Sequence, residues 1–129
     1  MTLKDDEIKN RLEELKIEDF IWIIYIGIIF LSWFSNHLER KYFLNNDLEA
    51  RDKYRSIITL IFSVLTIVYI YFLKESYEDL KNLKETDTQE RKILIFLSFL
   101  ASLFIFLSGI IYLYIALKDE NLEVELAFN

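Results

Sequence analysis

Three long stretches of this chain carry no charged side chain, and the segments between them are dense in charge. They run from Phe20 to Asn36, Ser56 to Leu73 and Ile93 to Leu117, with 17, 18 and 25 residues. As helices they measure about 26, 27 and 37 Å at 1.5 Å per residue, against a bilayer hydrocarbon core of about 30 Å. One such block is compatible with a buried helix of a soluble protein. Three are not, because a chain of 129 residues lacks the volume to wrap three uniformly apolar helices in amphipathic ones.

No proline occurs, and the two glycines, Gly27 and Gly109, both lie inside apolar blocks, so only short polar connectors interrupt the helical pattern. The expected fold is therefore all-α, a three-span transmembrane protein with an amphipathic N-terminal helical extension and a long helical hairpin of spans two and three. It forms one membrane domain over residues 1–129: extension 1–19, first span 20–36, connector 37–55, second span 56–73, hairpin tip 74–92, third span 93–117 and tail 118–129. The acid-rich approach to the first block, with no small-x-small site after it, marks a retained span and not a cleaved signal. No internal repeat of the kind shared by many secondary transporters is visible.

The flanking segments carry their own local signals. Ile8, Leu12 and Leu15 recur at i, i+4 and i+7 among Lys and Glu, the pattern of an amphipathic helix whose acidity disfavours anionic lipid. Asn46 followed by Glu49 resembles a capping box that starts the second helix near Asp47. Tyr77, Leu80 and Lys84 continue that helix past the second span, and residues 86–90 supply caps for the third. Leu122, Val124, Leu126 and Phe128 alternate with polar or small residues, which predicts an extended tail. Trp22, Tyr25, Tyr69 and Tyr71 mark one membrane interface, and Trp33, Tyr112 and Tyr114 mark the other.

Side-chain inventory removes most chemistry. There is no cysteine, and the single histidine, His37, lies two residues from Glu39, a spacing that turns a base and its orienter to different sides of a helix. Asp119, Glu120, Glu123 and Glu125 lack the glycine turn of a calcium loop. A net charge of −6 with acid in every exposed segment leaves no basic stripe for nucleic acid. No Asp, Glu, Lys, Arg or His falls inside a span, which argues against proton relays and ion-coupled transport. The expectation is a non-catalytic protein without cofactor or metal.

Two polar or small faces remain as candidate helix-packing or pore surfaces. Ser56, Thr59, Ser63 and Thr66 form a hydroxyl stripe within an arc of roughly 80° at 100° per residue. Ser98, Ser102, Gly109 and Ala116 share a second face, flanked by Ala101 and Ser108, that lets another backbone approach closely. The hydroxyl face of span two is its expected partner, with dimerisation as the alternative. Lys and Arg number nine in the N-terminal segment plus hairpin tip and six in the first connector plus tail, placing the N-terminus in the cytoplasm and the C-terminus outside a multi-pass cell-membrane protein. The functional expectation is an accessory or partner-binding component, of immunity type for instance, whose partners are the lipid bilayer and a membrane protein or a second copy. The alternative is a homo-oligomeric passive channel lined by the hydroxyls of span two.

Overall fold

The computed structural model describes residues 5–126 and consists of α1 (Asp5–Asn45), α2 (Leu48–Lys81) and α3 (Gln89–Lys118). Each helix contains one apolar block and is long and apolar enough to cross a membrane, so the architecture is that of a multi-pass membrane protein. Extension and first span are a single helix of 41 residues, about 61 Å long at 1.5 Å per residue. No glycine or proline separates the Lys/Glu/Leu-rich start from the apolar run, and Asp5, Asp6 and Glu7 suit the positive end of the helix dipole.

The first reversal takes two residues. Asn46 adopts a left-handed φ of 52°, a conformation that asparagine tolerates better than most side chains. Asp47 then caps α2, accepting from the Ala50 amide at 3.1 Å. The expected Asn46–Glu49 box is thus corrected by one residue, because Asn46 is spent on the turn; Glu49 pairs instead with Lys53 at 3.3 Å. Lys84 is also not helical. α2 stops at Lys81, the Asn82 amide donates back to Glu78, and the Lys84 amide donates to the Asp87 carboxylate at 2.7 Å. Thr88 caps α3 by accepting from the Arg91 amide at 3.2 Å.

Helix α2 is the spine. Both α1 and α3 pack antiparallel against it and do not pack against each other. The core is made of Tyr54, Ile58, Ile61, Phe62 and Leu65 of α2 with Ile28 and Leu38 of α1 and Ala116 of α3. Large apolar side chains such as Trp22, Trp33, Phe104 and Ile111 stay exposed, as lipid-facing surfaces require. The surplus length of the third block falls at the hairpin end, where Phe99 meets Tyr77 with ring centroids 6.1 Å apart.

The tail corrects the expectation of an extended segment. Asp119 accepts from the amides of Glu123 at 3.0 Å and Val124 at 2.7 Å, which coils the chain. Leu122 takes a φ of 56°, and Leu126 is buried in the core cluster. One alternating position, Phe128, lies outside the described residues.

Candidate functional site

Three of the small residues of α3, Ser102, Gly109 and Ala116, lie against α2. Gly109 and Ala116 are buried, and a Cβ at Gly109 would lie 2.9 Å from Tyr69 Cδ2 and 3.5 Å from the Thr66 hydroxyl. Ser76 donates to the Phe72 carbonyl at 2.8 Å, which leaves its oxygen to accept from Ser102 at 2.8 Å. Ser98 is exposed near the hairpin end; Ala101 and Ser108 are exposed as well, with Ser108 donating to the Phe104 carbonyl.

Their partner on α2 is not the hydroxyl stripe as a whole. The seam follows Phe62, Tyr69 and Ser76 in seven-residue steps, and Phe62 stacks on Tyr112 with centroids 5.4 Å apart. The stripe is centred about 100° further round the helix. Only Thr66 reaches the seam, and its hydroxyl is spent on the Phe62 carbonyl at 2.7 Å. Ser56, Thr59 and Ser63 line a separate open groove of about 610 Å³ with Arg55 and Leu117.

His37 is exposed beside the Phe34 ring, whereas the half-buried Glu39 is hydrogen-bonded by Tyr54. The two face apart. In the tail, Asp119 already satisfies two amides, and no group of three His, Asp or Glu able to hold a metal occurs among the described residues.

A different site emerges where α1 and α3 splay. Between them, over α2, lies a polar hollow of about 430 Å³ lined by Arg11, Glu14, Glu18, Glu75, Asp79 and Ser98 among others. Burial and the neighbouring Glu14, Glu78 and Asp79 push the Glu75 carboxyl above its ordinary value, and Glu75 hydrogen-bonds Glu14. No family model, curated protein or solved structure matches this chain. The sequence signal for this hollow is the recurrence of Arg11, Glu14, Glu18 and Tyr25 at steps of 3, 4 and 7, which becomes one face only when extension and span form one continuous helix.

Glu75 sets a pH dependence. Its proton is bound more tightly in the folded protein than in the unfolded chain, so its contribution to stability is complete below the ordinary value of 4.5 and is lost as pH rises through the raised one. Glu39 has the same sign, raised first by burial and also by Glu125, against the lowering Tyr54 bond. In detergent, the melting-temperature advantage of Glu75→Gln over the natural protein should grow as pH rises through that window. A constant difference would show that the carboxyls are not crowded.

Proposed function

We propose that this protein is a small, non-catalytic integral membrane component that recognises another membrane protein, with the N-terminus and hairpin tip cytoplasmic and the C-terminus outside. The observation that carries this reading is the apolar stripe of the extension. Ile8, Leu12 and Leu15 are 42%, 55% and 40% exposed on the same unbroken helix as the first span. An amphipathic helix with an uncovered stripe fits a groove on a partner, and its acidic flanks select one with a basic rim. Excess Lys and Arg on the N-terminal side supports the orientation. Labelling of a single cysteine placed in the hairpin tip from outside intact cells would reverse it.

The channel reading retains one supporting feature, the outward groove lined by Ser56, Thr59 and Ser63. Mass determination in mild detergent with bilayer conductance separates the two. The partner-binding reading expects a non-conducting protein whose photocrosslink from position 12 gives one discrete adduct, lost on Ile8→Glu with unchanged melting. A ring of four or more copies, with a current abolished by Ser63→Leu, would sink it.

A further inference from the structure

The polar hollow at the hairpin end does not stand alone. A second hollow of about 490 Å³, apolar and lined by Trp22, Ile29 and Leu65, lies between α1 and α2, and Tyr25 and Tyr69 line both. The two hollows adjoin at these side chains. On α1, Glu14, Glu18, Trp22, Tyr25 and Ile29 recur at three- and four-residue steps, so one strip of the helix turns from acidic to apolar along its length. On α2, the floor from Asp79 to Leu65 spans 14 residues, or about 21 Å of helix. Towards the other end of α2, Leu126 of the tail packs with Tyr54, Ile58 and Ala116.

An occupant that fits both hollows is elongated, apolar at one end and charged at the other. The sign of that charge follows from the walls. Glu14, Glu18, Glu75 and Asp79 face one guanidinium, Arg11, which is paired with Glu14 at 3.1 Å. Four carboxylates around one hollow repel one another, which adds to burial in raising the Glu75 carboxyl, and a cation seated among them relieves that repulsion. Carboxylates accept hydrogen bonds, so a cation that carries N–H donors suits them better than a quaternary one. Arg11, at the rim, offers the complementary charge to a phosphate beside that cation.

We propose that the cleft holds a phospholipid with a primary-ammonium headgroup, its ammonium among Glu14, Glu75 and Asp79, its phosphate at Arg11 and one acyl chain along Trp22, Ile29 and Leu65. This site is independent of the Ile8–Leu15 stripe, which lies on another face of α1.

Trp22 is a built-in reporter, and Trp33, 72% exposed and lining neither hollow, is its control. The full chain, as the Trp33→Phe variant, is reconstituted in vesicles with acyl-brominated phosphatidylethanolamine, phosphatidylcholine or phosphatidylglycerol at equal mole fraction. Trp22 should be quenched preferentially by the ethanolamine lipid, with a preference on the order of tenfold, the size expected of a charge-assisted hydrogen bond. Unbrominated ethanolamine lipid should reverse the quenching where choline lipid does not. Glu75→Gln with Glu14→Gln should erase the preference, and the Trp22→Phe variant, reporting through Trp33, should show none. Equal quenching by all three lipids would mean bulk contact and would overturn the site. Preference for the choline lipid would indicate a quaternary cation, and protection of Trp22 from every lipid would indicate a second copy of the chain; either result also overturns it.

Discussion

Replacing Gly109 with isoleucine should lower thermal stability in detergent by several degrees, a cost on the order of 1–3 kcal/mol. The first atom added already lies 2.9 Å from Tyr69 Cδ2 and 3.2 Å from Cε2, inside normal contact distance. Alanine is the smaller test, because rotation of the Tyr69 ring towards the open cleft relieves one methyl group, and leaving glycine in a helix interior returns about 1 kcal/mol. Isoleucine adds a branched bulk that one ring rotation does not accommodate. α3 must then move off α2, separating the Phe62–Tyr112 stack and the Ser76–Ser102 bond on either side. Leu107→Ala is the control, since Leu107 is 45% exposed on the lipid face. If that variant lowered the melting temperature while Gly109→Ile left it unchanged, the seam would be misassigned.

Phe62→Ala should be at least as damaging. Phe62 is 1% exposed and sits among Ile58, Ile61 and Leu65 while stacking on Tyr112. In water, truncating such a residue costs about 3–5 kcal/mol, part transfer energy and part cavity. Lipid tails are as apolar as a protein core, so the transfer part shrinks in a bilayer, and the lost dispersion contacts remain. A cost near 3 kcal/mol is expected, measured by unfolding in mixed detergent against Phe104→Ala. Phe104 is 59% exposed and should be nearly silent. Equal effects of the two substitutions would mean that Phe62 is not in the core.

The three helices were legible because absence of charge over a bilayer's thickness is a coarse signal that no local detail overrides. Finer expectations depended on which of two competing roles a residue takes. Asn46 had the chemistry of a cap and of a left-handed turn, and the two-residue reversal used the second, leaving the cap to Asp47. Leu122, Val124 and Leu126 had a strand's alternation, but the nearby Asp119 offered amide acceptors and the core cluster offered burial to Leu126. Ser76 gave no signal at all, since a single serine in a charged segment looks solvated until Ser102 is placed opposite it. The acidic hollow was hidden for a related reason: its carboxylates come from residues 14, 18, 75 and 79, two segments joined only by the α1–α2 packing.

That α1 and α3 each touch only the spine has a consequence for assembly. Among the described residues every helix contact joins elements adjacent in sequence, so docking can proceed in step with synthesis, α1 with α2 first and α3 afterwards, with no early helix waiting for a distant partner. The segment that follows α3 acts as a latch on the finished product. Its Leu126 shares one cluster with Leu38 of α1, Tyr54 of α2 and Ala116 of α3, a meeting of surfaces that exists only once all three helices are home.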